Sequence, residues 1–443
     1  MSYPFRNFLF VLFVLVFIIM TIFFSLSASG YKVSVTGLLS GQDLIQKTGI
    51  LAIDSKPRGA EINLSRQSRD LIFDNEIKRN KKILSPSKIR GLLPGTYLLS
   101  LELDGYWPWQ QKFQIYPGQS TYMEDIVLFK KEEAFNFFKT TAQNFELNTR
   151  SQKIILKDDF KVIDLKTGQE VFSDPNLKDL DFLDGRRLLL NNSLIFDEAR
   201  KNYQDLSFLA TNSLSKLKIR ANNLFYLQDS GLFKYHLSSK QQDNVFLIKN
   251  IIDYEFYNGF YFLIISEEQQ SFLRIYSYKN KELLKEIELP FSLDYEIINP
   301  GASDFVYIYN PQFKSVHIVK TSSHFNSFWA VLDNVSGLDL VDANNLIYHS
   351  DLEIYSFNTV LAEKFLISRF ETEIKNLLWH PKNYLIFSTD KDIKILDLRY
   401  NKSLLTISSL DEVLDLALDK SNNILYFSGS QGQLSGLFSI LIQ

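Results

Sequence analysis

The chain has 443 residues, a formal net charge of −3 and no cysteine. The charge argues against a dedicated nucleic-acid binder, which would show a strongly basic face. The missing thiols exclude disulfides, thiolate metal sites, a cysteine nucleophile and a lipidated cysteine. Such a length exceeds what one compact core usually holds, and 37 Phe with 22 Tyr favour pleated, half-buried surfaces.

The first element in chain order is the uncharged run Phe8–Leu26. As a helix it spans about 28 Å, close to the ~30 Å hydrocarbon core of a bilayer. It is longer than the ~7–15 apolar residues of a secretory signal. An uncleaved membrane anchor over residues 1–30 is therefore expected, with Ser27-Ala28-Ser29-Gly30 as the place where cleavage would fall instead. Arg6 on one side and Lys32 and Lys47 on the other leave the orientation nearly balanced. Residues 31–47 read as a tether.

Residues 48–129 switch to strand patterning. Gly49–Asp54 runs into the turn Lys56-Pro57-Arg58-Gly59-Ala60, and Glu61–Leu64 alternates polar with apolar. Pro94-Gly95 opens Thr96–Leu103, which Asp104-Gly105 closes; Lys112–Tyr116, Pro117-Gly118 and Met123–Leu128 follow. Short strands at hairpin spacing predict a small antiparallel β-sandwich. The basic run Lys78-Arg79-Asn80-Lys81-Lys82 shares its loop with Asp70, Asp74 and Glu76, so a solvated loop tip is favoured over a membrane or wall contact. Tyr106-Trp107-Pro108-Trp109 is expected to cap the core in preference to stacking on a sugar, because exposed tryptophans are costly.

These residues also carry a resemblance. Pro57-Arg58-Gly59-Ala60, Ser85-Pro86, Leu93-Pro94-Gly95-Thr96-Tyr97 and Gly105-Tyr106 resemble the ordered motifs of PEGA domains, with Arg58 in place of the name motif's Glu and a long polar insert from Ser65 to Lys82. The resemblance implies a non-catalytic spacer or adhesion module of exported or surface-attached proteins, with the bulk of the chain outside the cell.

Residues 134–443 repeat. Asn222-Asn223-Leu224-Phe225-Tyr226 recurs at Asn344–Tyr348 and Asn422–Tyr426, and more loosely at Lys382–Phe387; Asn344, Asn383 and Asn422 are spaced by 39 residues. With turns at Ser151-Gln152, Asp184-Gly185, Asn258-Gly259 and Ser303-Asp304, that makes eight. Each precedes an apolar strand and then a second such as Phe160–Leu165, Leu273–Tyr278, Leu352–Phe357 or Ile393–Leu398. A period near forty residues predicts a β-propeller, whose ring buries the sheet faces that an isolated blade exposes. The last repeat, ending Leu437–Ile442, has no residues left for an outer strand, which Ala134–Phe138 is expected to supply. Eight blades are expected, with seven as the alternative. Trp379-His380-Pro381-Lys382-Asn383 resembles the blade turn of WD-repeat-like and TolB-type propellers. The whole chain resembles membrane-anchored bacterial surface proteins with a PEGA domain and a propeller.

The fold class expected is thus all-β with one N-terminal transmembrane helix. Chemistry is harder to find. His236, His317, His324, His349 and His380 show no metal-binding spacing, and no nucleophile elbow or phosphate loop occurs. His236 and His317 are expected to be solvated on outward strand positions. Asp174, Asp179, Asp181 and Asp184 read as turn residues instead of a calcium loop. No catalytic, cofactor-binding or metal-binding residue is predicted, and no cofactor. The expected partners are the membrane, through Phe8–Leu26, and an envelope protein or cell-wall polymer. The expected role is a binding scaffold. A surface glycosidase or lyase using channel carboxylates is the alternative, and an assembly factor for membrane proteins is a third.

Overall fold

The structure, a computed structural model, describes residues 3–33, 45–66, 82–140, 143–184, 186–209, 215–220, 222–229, 231–246, 248–257, 259–298, 304–321, 327–399, 403–421 and 423–443. Lys78–Lys81, His324 and several of the expected turn residues lie outside them. The chain divides into two compact units, Met1–Glu132 with Ile442–Gln443, and Glu133–Leu441.

The first unit opens with a helix, Tyr3–Ala28. Its segment Phe8–Ala28 is apolar and long enough to cross a bilayer, as a signal sequence also is. Beyond the helix the ends of the expected tether pair with each other: Tyr31–Val33 lies antiparallel to Ile45–Lys47. Two three-stranded sheets follow. Gly49–Lys56 is flanked by Ser87–Leu92 and, in parallel, by Ser120–Val127; Gly95–Glu102 is flanked by Glu61–Arg66 and Trp109–Ile115. Burial alternates along Gly49–Lys56, so Leu51 and Ile53 enter the core, as do Leu99, Leu101 and Ile115 from the other sheet. Trp109 is 5% exposed, and Trp107 is half-buried under the Lys131 ammonium.

The motif residues of this unit act on one another. Gly59 N–H donates to Ser85 O at 2.8 Å, Ser85 N–H to Ala60 O at 2.9 Å, and Ala60 N–H to Ser85 Oγ at 3.1 Å. Tyr97 is buried, and its hydroxyl donates back to Leu93 O at 2.8 Å. These positions fasten turns to strands, and they are structural.

In the second unit, the described residues form eight four-stranded antiparallel sheets, within residues 145–173, 180–205, 215–244, 251–289, 296–333, 337–369, 376–409 and 412–441. The eighth takes its fourth strand, Phe135–Lys139, from the start of the unit. Second strands are buried on both faces: every residue of Tyr384–Ser388 is buried. A strand packed on both sides has no solvent face, so it reads as a continuous apolar run without alternation. Apolar clusters join successive sheets. Phe225 and Leu263 belong to the one between the third and fourth, and Ile264 and Ile308 to the one between the fourth and fifth. Phe145 and Ile154 of the first sheet share a cluster with Tyr426 and Leu437 of the eighth.

Polar side chains tie the lead strand of one sheet to the next. Lys218 Nζ donates to Tyr254 O at 2.7 Å, Ile297 N–H to Asp253 Oδ2 at 2.8 Å, and Trp379 N–H to Asp339 Oδ2 at 2.8 Å. Asn376 Nδ2 reaches Leu414 O at 3.0 Å, and Gln152 Nε2 returns from the first sheet to Asp419 Oδ2 at 3.1 Å. The first four of these bonds satisfy backbone groups at the sheet junctions.

The crowded aspartates before residue 185 are turn and pairing residues. Asp174 accepts Asn176 N–H, Asp184 accepts the Arg186 and Arg187 N–H groups, Asp179 accepts Asn192 Nδ2, and Asp181 pairs with Lys157. His236 is half-buried. His317 corrects the expectation of a solvated side chain: it is 5% exposed, with its ring 4.7 Å from Phe328. Its strand is covered on both sides, so an outward position is still an interior one.

His349 and His380 are buried as well. His380 Nδ1 accepts Lys382 N–H at 3.2 Å, which leaves Nε2 protonated to donate to Asn423 Oδ1 at 3.2 Å. Burial pushes this imidazole down to about 4, and it lowers His317 and His349 too. An unfolded histidine takes up its proton near 6.5. The stabilising contribution is therefore complete above pH 6.5 and is lost as pH falls from there towards 4. At pH 5, His380 alone is expected to cost roughly 2 kcal/mol. Urea unfolding at pH 7 and pH 5 checks this: the loss between the two should be smaller in His380→Gln, and an equal loss would assign the acid sensitivity elsewhere.

Candidate interaction face

Adjacent strands in each sheet run in opposite directions. The connection entering a sheet and the connection between its second and third strands therefore lie at the same end. On the fourth to sixth sheets, this end carries three connections that are fixed internally and to one another.

In residues 290–295, Ser292 and Tyr295 are each 2% exposed, whereas Phe291 and Leu293 are 46% and 67% exposed. The alternation has a cause. Ser292 N–H donates to Ser271 Oγ at 3.3 Å, Ser271 Oγ donates to Ser292 O at 3.0 Å, and the Tyr295 hydroxyl donates to Pro290 O at 2.6 Å. Pinning those residues inward turns their neighbours outward. In residues 311–314, the buried Asn310 accepts Phe313 N–H at 3.0 Å, and Phe313 is 50% exposed. In residues 350–352, Glu353 N–H donates to Ser350 Oγ at 3.2 Å, and Leu352 is exposed.

The connections are also joined in series. Ser292 Oγ donates to Gln312 Oε1 at 3.1 Å; Lys314 Nζ donates to Asp351 Oδ1 at 3.0 Å, which also accepts Ser336 Oγ at 2.8 Å. Phe291, Leu293, Phe313 and Leu352 are thus presented on a rigid frame. Beside Leu352 lies an open cleft of 430 Å³ lined by Lys314, Asp351, Glu353, Tyr355, Lys364 and Arg369. Arg369 Nε donates to Glu353 Oε1 at 2.7 Å, and Lys364 sits 3.9 Å over the Tyr355 ring. A second cleft of 580 Å³, at the same end of the seventh and eighth sheets, is acidic, with Asp390, Asp411 and Glu412 around Lys375.

Exposed apolar anchors on a fixed frame, bordered by a polar cleft, have the composition of a protein-binding patch: aromatic centre, charged rim. The outer strands expose apolar residues too: Leu283 and Leu284 on the fourth sheet, Val331 on the fifth, Phe365 and Leu366 on the sixth and Leu404 on the seventh. Sequence reasoning placed Leu352 at the head of a strand, although the strand begins at Glu353, and it named none of the other patch residues. The available signal was an apolar side chain inside each of two Pro-containing turns, Pro290-Phe291-Ser292-Leu293 and Pro311-Gln312-Phe313-Lys314. Among the described residues, no group of three or more His, Asp or Glu is placed to hold a metal.

No protein-family model matches the chain, and no curated protein does. Solved structures similar to it include the C-terminal WD40 domain of Sif2, with a TM-score of 0.50 and 9% identity over 70% of this chain and 97% of that one. The computationally designed Ika8 protein has a TM-score of 0.47 at 12% identity, over 70% and 98% of the two chains. The Dos1 propeller has a TM-score of 0.44 at 12% identity, over 70% and 88%. At such identities the likeness bears on fold alone, and the Sif2 domain is the one of the three that reaches a TM-score of 0.50. The chain is mostly β, with one N-terminal apolar helix and a propeller-like repeat unit.

Proposed function

We propose that this chain is a membrane-tethered, non-enzymatic interaction scaffold on the extracytoplasmic side of the envelope. The eight sheets are read as the blades of one closed propeller, completed by Phe135–Lys139. The small unit is read as a PEGA-type sandwich that spaces the propeller from the bilayer. The observation carrying the proposal is the set of four exposed apolar residues, Phe291, Leu293, Phe313 and Leu352, held outward by buried or bonded neighbours. An exposed apolar patch on a fixed frame is costly unless it meets a partner. The apolar helix, the motif contacts of the small unit and the propeller-like likeness support the remaining parts. Asp253 and Asp339, on the lead strands of their sheets, accept backbone N–H groups of the next sheet, which is a structural role.

The test is capture from solubilised envelope by the full chain in detergent, beside Phe291→Asp/Phe313→Asp. Both positions are exposed, so the double variant should fold with unchanged thermal stability. The expected result is a retained protein or polymer that the double variant loses, at a cost of at least about 2 kcal/mol in binding. Equal retention by both chains would contradict the proposal.

A further inference from the structure

The ends of segment 31–47 are bonded in a way that fixes where the small unit stands relative to its own helix. Gly30 lies two residues beyond the last helical residue, Ala28, a reach of at most about 7 Å. Its carbonyl accepts both the N–H and the hydroxyl of Thr48, each at 2.8 Å. Thr48 directly precedes the strand Gly49–Lys56 and accepts Gly118 N–H at 3.1 Å. Tyr31, Lys32 and Val33 pair with Lys47, Gln46 and Ile45. Lys32 Nζ donates to Gly91 O at 2.7 Å. The Lys47 side chain lies so close over Gly118 that a Cβ there would sit 2.9 Å from its Cε. Residues 45–48 therefore lie back at the helix end, where the first sheet begins.

The dimensions decide what this end of the unit meets. The apolar segment Phe8–Ala28 is about 31 Å long as a helix and fills a hydrocarbon core of ~30 Å, whose headgroup layers are each about 5–8 Å thick. Residues bonded to Gly30 then lie at headgroup depth. The surface there suits anionic lipid. Lys32, Lys47 and Arg90 are exposed, and Tyr116, next to the Pro117-Gly118 turn, is 54% exposed. The described residues of segments 29–33, 45–50, 89–95 and 115–120 contain no Asp or Glu. A cation near an anionic surface contributes about 1 kcal/mol, and interfacial tyrosines favour headgroup depth.

We infer that the 116–119 turn and its flanking cations rest in the headgroup layer and bind anionic phospholipid, so the small unit is a membrane-seated collar instead of a domain swinging on a leash. This rests on the membrane reading of the helix, and the geometry is the same on either side of a bilayer.

The absence of native cysteine makes the experiment clean. Full-length Tyr116→Cys and Asp104→Cys, the latter on the exposed turn at the far end of the same strands, are labelled with a fluorophore. They are reconstituted in phosphatidylcholine vesicles with or without phosphatidylglycerol, carrying a headgroup nitroxide quencher. The expected result is quenching several-fold stronger at 116 than at 104. It should rise with phosphatidylglycerol, and Lys47→Glu/Arg90→Glu should diminish that rise. Equal quenching at both sites in protein that floats with the vesicles would overturn the collar while leaving the anchor intact. Failure to float would overturn both.

Discussion

Replacing Gly436 by valine is expected to open the eighth sheet and to destabilise the repeat unit by about 3 kcal/mol or more. Gly436 has φ +151°, and a Cβ there would lie 2.3 Å from Phe138 O and 3.0 Å from Thr140 N. Those atoms are backbone of the strand Phe135–Lys139 and its continuation, which pairs with Leu434–Leu441. No side-chain adjustment relieves such an overlap, so the strand has to move away. The loss extends beyond its few hydrogen bonds: Phe138 packs against the cluster shared by the first and eighth sheets. Deleting residues 134–142 should reproduce the effect, because it removes the same strand without a clash. Both are read by thermal unfolding of the full chain. Unchanged stability in both would remove the idea that this strand completes a ring.

The second large effect is expected at Asp253, which is 1% exposed and accepts Ile297 N–H from the next sheet. Asp253→Ala would leave that N–H buried without an acceptor. Loss of a charge-assisted bond together with an orphaned donor is expected to cost about 3 kcal/mol. Asp253→Asn retains an acceptor oxygen and should cost about 1 kcal/mol. Urea unfolding of the two variants separates loss of the carboxylate's charge, common to both, from loss of the acceptor oxygen, which only Asp253→Ala suffers. Equal losses in both would show that the ionic contact with Lys216, at 3.9 Å, matters more than the bond to Ile297.

What could be read from the sequence follows physical necessity. In the last two repeats the recurring Asn has a physical reason: Asn383 and Asn423 have φ of +62° and +54°, a conformation Asn tolerates better than most residues. The doubly buried second strands were legible as apolar runs. The expected outer strand at 134–138 falls where Phe135–Lys139 pairs with the last sheet. Long-range polar partners were not legible. Nothing in Ile251-Ile252-Asp253 announces a bond to a residue 44 positions on. His317 was misjudged because position along a strand says inward or outward only when one face is wet. The pairing of Tyr31–Val33 with Ile45–Lys47 was hidden because three-residue strands leave almost no periodicity to detect. The candidate face escaped because Phe291, Leu293 and Phe313 sit in turns, where an apolar side chain has no pattern to break.

The measurement that bears most directly on the scaffold is a hydrogen-exchange footprint of the captured partner on the full chain. Protection is predicted at residues 291–295, 312–314 and 350–353, with the opposite ends of the same sheets unchanged. Protection confined to those opposite ends, or spread along the outer strands at 283–289 and 363–369, would contradict the account and move the binding surface off this face.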